Sequence, residues 1–116
     1  MSGSGLVISK VMDVTVATLH VPSLLDEQAI EDIGKGLYEL VDEQAIRKLV
    51  VDFRHVSALS SQMLGVLVSL NKRARAIKGK VVLCGMRPSL MKIFQVTRLD
   101  KIMAFAPDES AAVQML

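Results

Sequence analysis

The 116-residue sequence has few aromatic residues and almost no cysteine: one Tyr, three Phe, no Trp and one Cys. A single cysteine cannot form an internal disulfide, and it fits a reducing compartment. Because rings are scarce, the core of a chain that is 51% hydrophobic has to be aliphatic. At this length we expect one compact domain whose core needs no disulfide or metal to hold it together.

Long apolar runs and targeting signals are also missing. The longest apolar stretches, over 63–68 and 81–86, fall well short of the roughly 20 residues of a membrane helix. No basic segment followed by a long apolar segment opens the chain, so no secretory signal is predicted. We interpret residues 1–5 as a flexible tail and 6–116 as a single domain in the cytoplasm.

Charge of one sign is only slightly in excess. Fourteen Lys and Arg against twelve Asp and Glu leave a net charge of +2, which is too small for a general nucleic-acid binder. Five cations lie between residues 72 and 80 without interleaved aromatic residues, which argues against base stacking. This cluster is interpreted as a solvated helix end that complements the helix dipole, with a contribution to a protein interface as the alternative.

The strand pattern comes from β-branched residues and short buried runs. Residues 6–11 and 14–21 predict two strands joined by a turn. Continuous apolar runs over 48–53 and 80–85 predict strands that are covered on both faces. A last short strand is predicted over 102–105.

Helical spacing predicts four helices between these strands. The first follows Ser23, where Ser23 and Asp26 resemble a capping box. Gly34 and Gly36 interrupt it, and either a close packing neighbour or a local irregularity explains them. The second starts at Ser60 or Ser61, the third at residue 88, and the fourth covers 109–115. Apolar residues of the second helix recur in steps of four and three and predict a buried stripe: Met63, Leu67, Leu70, Ala74 and Ile77.

Strands and helices alternate after the first hairpin, and this order predicts crossover connections between parallel strands. The fold class is therefore α/β, with a mixed β-sheet of about five strands and about four helices packed against it.

The residue types that most often catalyse reactions occur in this sequence without the neighbours that a catalytic or metal site needs. His20 and His55 have no second ligand at metal-binding spacing, and Cys84 lies inside a predicted strand, as a buried inert thiol does. Asp52 ends a strand without a second carboxylate, and Arg54 is its expected partner. No phosphate-binding loop or nucleophile motif appears. The sequence therefore predicts no catalytic residue, metal or cofactor, and a protein that is not an enzyme.

The segment over 56–66, VSALSSQMLGV, carries the most informative pattern. Two serines, Ser60 and Ser61, follow a buried strand and open a helix. Simple capping accounts for them, but backbone N–H groups and the positive end of the helix dipole also favour an anion there. A phosphoserine would bring about −1.5 to −2 charges to this mildly polar surface.

With its surroundings, this segment resembles the STAS family, named for sulfate transporters and anti-sigma factor antagonists. The resemblance runs through LVVDFRHVSALSSQMLGVL, KGKVVLCGMRPSLMKIF and the TRL segment at 97–99, and it covers about residues 6 to 115. It implies a STAS-like fold. It also implies that Ser61 matches the serine that is phosphorylated in anti-sigma factor antagonists.

The sequence departs from the family pattern around that serine. Ser60 stands where the family has Asp, and Gln62 and Met63 replace a Ser or Thr and a Gly. The acceptor hydroxyl is present without its acidic neighbour. Met63 is expected to offer a flexible apolar side chain on which a partner can pack.

The resemblance implies a non-enzymatic partner-switching module. It would bind an anti-sigma factor or a serine-kinase-like regulator, and phosphate on Ser61 would weaken the contact. The expected partner-binding residues are Ser23, Asp26, Ser60, Ser61, Gln62 and Met63. The alternative is a constitutive assembly subunit of a signalling scaffold or membrane transporter complex. Small-molecule binding is a further possibility that no residue demands.

Overall fold

A computed structural model describes residues 5–116 of the chain. Four of the five residues predicted as a tail, 1–4, lie outside the described residues. The fifth, Gly5, accepts a 2.7 Å hydrogen bond from the backbone N–H of His20 through its carbonyl oxygen.

The described residues form a five-stranded mixed sheet with four α-helices, which confirms the predicted fold class. The strands of this sheet, in spatial order, are β1, β2, β4, β6 and β7. Strand β1 pairs antiparallel with β2, and the remaining neighbours are parallel. Their bounds are Leu6–Val11 for β1, Val14–Leu19 for β2, Lys48–Asp52 for β4, Lys80–Cys84 for β6 and Ala104–Ala106 for β7.

Two further strands of two residues each form a separate parallel pair that the sequence pattern did not predict. They are β3, Ser23–Leu24, and β5, Ala58–Leu59. The helices are α1, Glu27–Asp42; α2, Ser61–Ala76; α3, Pro88–Val96; and α4, Glu109–Gln114, with a 3-10 turn at Leu99–Lys101.

Each parallel pair needs a connection that crosses the sheet, and α1, α2 and α3 provide these connections. All three helices pack on one face of the sheet, against side chains such as Ala17, Leu49 and Leu83. The other face carries Val16, Val50 and Val82, which pack with Ala112 of α4. The central strands are therefore buried on both sides, as their continuous apolar runs predicted.

The two glycines of α1 mark close packing neighbours. A Cβ on Gly34 would lie 3.3 Å from Cγ2 of Val66, so α1 and α2 approach closely there. A Cβ on Gly36 would lie 2.7 Å from Cδ2 of Leu6, where α1 passes over the start of β1. Of the two explanations left open by the sequence, close packing is correct.

Three predicted boundaries differ from the structure by two residues or more. The side chain that caps α1 is Asp26, which accepts a hydrogen bond from the N–H of Ala29, whereas Ser23 belongs to β3. Strand β2 ends at Leu19, which pairs with Leu6, the first residue of β1. The last strand starts at Ala104, since Ile102 still follows the 3-10 turn.

None of the described helices is long and apolar enough to cross a membrane.

The stripe of α2 that faces the sheet can be tested with Leu67, which is 2% exposed. Leu67→Ala should lower the free energy of unfolding by about 2–5 kcal/mol, because it deletes buried methyl groups and leaves a cavity. Lys72→Ala, on the exposed side of the same helix, should change it by less than about 0.5 kcal/mol. Urea denaturation of both variants measures this. Equal effects would contradict the orientation of α2.

Burial raises the pKa of the Cys84 thiol to about 12, and the neighbouring charge of Asp52 adds to the effect. In the unfolded chain this thiol ionises near its ordinary pKa of 9.0. The folded state keeps the thiol protonated above that pH, so the free energy of unfolding is unaffected below pH 9.0 and falls as the pH rises towards 12. Wild type should therefore lose more stability than Cys84→Ala over this alkaline range in pH-dependent denaturation. Parallel losses would contradict the shift. At neutral pH a thiol reagent should label Cys84 only after unfolding.

Candidate functional site

Two loops that leave adjacent parallel strands run side by side and build the candidate site. Strand β2 pairs with β4 as far as Thr18 and Asp52. Beyond their ends the chains pair again, because β3 and β5 match Ser23 with Ala58 and Leu24 with Leu59. The structure thus brings the predicted residues near 23–26 to the start of α2.

Backbone hydrogen bonds fix this pairing. The N–H of Ser60 donates to the carbonyl of Leu24 at 2.9 Å, and the N–H of Ser57 donates to the carbonyl of Pro22 at 2.8 Å. The hydroxyl of Ser57 donates to the same Pro22 oxygen at 2.9 Å. Sequence reasoning missed Ser57, since no local pattern indicates a contact across 35 positions. The loop before α2 is consequently held by three bonds to the loop before α1.

A stacked histidine pair lies at the base of the two loops. The rings of His20 and His55 have centroids 4.4 Å apart and an angle of 28° between their planes. Both residues are exposed. The part of the chain that the structure describes holds no group of three or more metal-ligating side chains. The pair adds a second contact between the loops.

Ser60 occupies the N-cap position of α2 with extended backbone, but its side chain makes no capping bond. Its hydroxyl oxygen is buried and has no hydrogen-bond partner. The first turn of α2 contains no acidic residue. The positive end of this helix therefore meets neither a capping oxygen nor a carboxylate of its own first turn, which favours an anion near Ser61.

The predicted partner-binding residues divide into accessible and buried ones. Ser23, Asp26, Ser61 and Gln62 are exposed. The prediction that Met63 contacts a partner is wrong, because Met63 is 0% exposed and belongs to the core. Its position in the apolar stripe of α2 with Leu67 explains this burial, since that stripe faces the sheet. A partner cannot pack on Met63 without unfolding the helix start.

Leu25 is an accessible residue that the sequence pattern did not single out. It is 58% exposed and follows Leu24, which is fully buried. Adjacent residues of extended chain point in opposite directions, so only one of these two leucines can enter the core. The exposed one adds an apolar side chain beside Asp26. We use the name helix-start surface for Ser23, Leu25, Asp26, Ser60, Ser61 and Gln62.

The buried carboxylate of Asp52 interacts with Arg54. It is 2% exposed, and its carboxylate accepts a 3.0 Å hydrogen bond from the N–H of Arg54 and lies 3.5 Å from the Arg54 Nε. Gly85, with a φ of +71°, leaves the space for this carboxylate, because a Cβ there would lie 2.6 Å from an Asp52 oxygen. These contacts give Asp52 a structural role, with Arg54 as the partner that the sequence predicted.

The order of strands and the crossover helices on one face of the sheet are those of the STAS-like fold that the sequence resemblance implied. Residues 8–112 match the STAS domain family, and the chain belongs to this family. STAS proteins that resemble anti-sigma factor antagonists are generally non-enzymatic.

Two relatives are similar along most of the chain. The Bordetella bronchiseptica protein BtrV, named as a candidate anti-sigma factor antagonist, is 25% identical over 107 residues, which are 92% of this chain and 90% of BtrV. The anti-sigma F factor antagonist of Lysinibacillus sphaericus is 23% identical over 87 residues, with 75% and 74% covered.

Solved structures share the fold. A STAS domain protein of Planctomyces limnophilus superimposes with a TM-score of 0.83 at 22% identity, covering 95% of both chains. The phosphorylated form of the Bacillus protein SpoIIAA has a TM-score of 0.73 at 22% identity, covering 96% and 99%. A chain of the stressosome, a signal integration and transduction hub, has a TM-score of 0.70 at 21% identity and 93% coverage of each.

The two helix caps beside each other allow a matched test. Asp26→Ala should destabilise the protein by about 0.5–2 kcal/mol, because it removes the bond to the Ala29 N–H. Ser60→Ala should be neutral or slightly stabilising, since it removes a buried hydroxyl that has no partner. Thermal and urea denaturation compare the two. A loss at Ser60 equal to that at Asp26 would refute the geometry of the second cap.

Proposed function

We propose that this protein is a partner-switching regulator that acts in the cytoplasm through its helix-start surface. It binds an anti-sigma factor or a serine-kinase-like regulator, and phosphate on Ser61 weakens this contact. The observation that carries the proposal is the exposed Ser61 hydroxyl at the start of α2, next to the loop that contains Asp26. The names of the two curated relatives support the partner class.

The helix-start surface is suited to bind a protein partner while Ser61 is unphosphorylated. Exposed Leu25 supplies apolar contact area, and Gln62 and Asp26 supply polar contacts around it. A phosphate on Ser61 would place about −1.5 to −2 charges inside this contact. The partner would have to desolvate that charge. The phosphate and the Asp26 carboxylate would also repel any acidic group of the partner that faces them.

The role is binding rather than catalysis. The Asp52 carboxylate is already bound by Arg54, and the Cys84 thiol stays protonated near neutral pH because burial raises its pKa. The Asp52 carboxylate and the Cys84 thiol are therefore unsuited to act as a general acid or base or as a nucleophile.

One observation favours a second candidate, a constitutive assembly subunit of a signalling scaffold or transporter complex. Ser60 replaces the family's Asp, and its hydroxyl is turned into the protein without a partner. A kinase that needs a carboxylate before the acceptor serine would fail to use Ser61. The likeness to a stressosome chain supports the scaffold form of this alternative.

The switch is tested by phosphorylation with the cognate serine kinase, followed by mass spectrometry of the sites. Wild type should be labelled at Ser61, and Ser61→Ala should not be labelled. Ser89→Ala is the matched control, because Ser89 is also exposed in the first turn of a helix, α3. Labelling should increase in Ser60→Asp, which restores the acidic neighbour.

Partner affinity provides the second readout of the same experiment. Phosphorylated protein and Ser61→Glu should bind the partner at least about tenfold more weakly than wild type, which corresponds to about 1.4 kcal/mol. Ser61→Ala should bind as wild type does. Equal labelling of wild type and Ser61→Ala, or labelling of neither, would remove the switch, and undiminished binding would then favour the assembly subunit.

A further inference from the structure

A groove between α1 and α2 includes one of the predicted partner-binding residues, Gln62, and is otherwise lined by residues outside that set. The two helices approach each other closely at Gly34 and Val66. Beside this contact they enclose an open cavity of about 480 Å³ whose floor includes Ile30, Tyr38 and Val66. A depression of this size is within the range that accepts ligand side chains.

The floor of the groove is held in place by one arginine. The guanidinium of Arg73 lies 4.0 Å above the centre of the Tyr38 ring, and Nη1 of Arg73 donates to the carboxylate of Asp42. The Arg73 Nε also donates to the hydroxyl of Ser69 at 3.1 Å. Because Arg73 is committed to these groups, its charge does not neutralise the other acids of the groove.

Those other acids form a rim with little compensation. Glu31, Glu39 and Glu43 line the groove and are exposed, and besides Arg73 the lining contains one further cation, the exposed Lys35. Within the described residues none of them is within 4.0 Å of a cation. Residues 26–43 contain seven acids and one lysine, although the chain as a whole carries a net charge of +2.

Such a distribution costs stability, since like charges on one helix repel each other. A basic partner would relieve the repulsion and gain attraction at the same place. The apolar floor between the acids would accept an aliphatic or aromatic side chain of that partner. Gln62 lines the same groove and belongs to the helix-start surface, so the two regions are continuous.

The geometry points to a docking groove for a basic protein segment that inserts an apolar side chain between α1 and α2. The apolar side chain contacts Tyr38 and Val66, while flanking lysines or arginines face Glu31, Glu39 and Glu43. This inference does not depend on phosphate on Ser61, because Ser61 does not line the groove.

The test uses the full-length protein and three short labelled peptides, built from Leu and Lys, from Leu and Glu, and from Ala and Lys. The Leu/Lys peptide should bind saturably in fluorescence anisotropy and shift the NMR amide signals of Gly34, Tyr38 and Val66. The Leu/Glu peptide should not bind. The Ala/Lys peptide should bind at least about tenfold more weakly, because it lacks the apolar anchor.

Two matched variants place the interaction on the groove. Glu39→Lys should weaken binding of the Leu/Lys peptide by about tenfold or more. Asp32→Lys makes the same change in net charge on the exposed part of α1 outside the groove, and it should weaken binding by less than about threefold. Equal weakening by both variants, amide shifts confined to other surfaces, or no binding would each overturn the inference. Loss of phosphorylation at Ser61 would leave it untouched.

Discussion

The parallel pairing of β2 with β4 is the interaction on which the candidate site depends. Parallel neighbours end at the same edge of a sheet, so the loops that follow them start side by side. Here the pairing reaches Thr18 and Asp52, and it resumes at Ser23 and Ala58 after the stacked histidines. The start of α2 is therefore positioned by a continuous line of contacts that begins in the middle of the sheet.

The same pairing dictates how the sheet is covered. Central parallel strands have apolar side chains on both faces, and each face needs its own layer. Three crossover helices satisfy one face, and α4 with Ala112 satisfies the other. Because α2 is such a crossover helix, its apolar stripe is committed to the sheet. The residues of its first turn that remain exposed to a partner are Ser61 and Gln62.

Charge is separated along the helix layer. Residues 26–43, which include α1, contain most of the acids, whereas residues 72–101 contain nine of the fourteen cations and a single acid. The net charge of +2 conceals this separation. Partners of opposite charge would meet different parts of the surface, and the helix-start surface lies next to the acidic part. Electrostatic steering of a basic segment towards the groove between α1 and α2 is the expected consequence.

The spacing of apolar residues in the sequence was enough to predict the buried strands, the four helices and the face of α2 that packs on the sheet. Periodicity also implied the burial of Met63 through its place beside Leu67, although its proximity to Ser61 suggested a contact role. Tertiary structure decided the pairing of β3 with β5 and the burial of the Ser60 hydroxyl without a partner among the described residues. Strands of two residues are too short to carry a period, and their hydrogen bonds join positions more than thirty residues apart. Such contacts exist only once the sheet has brought the two loops together.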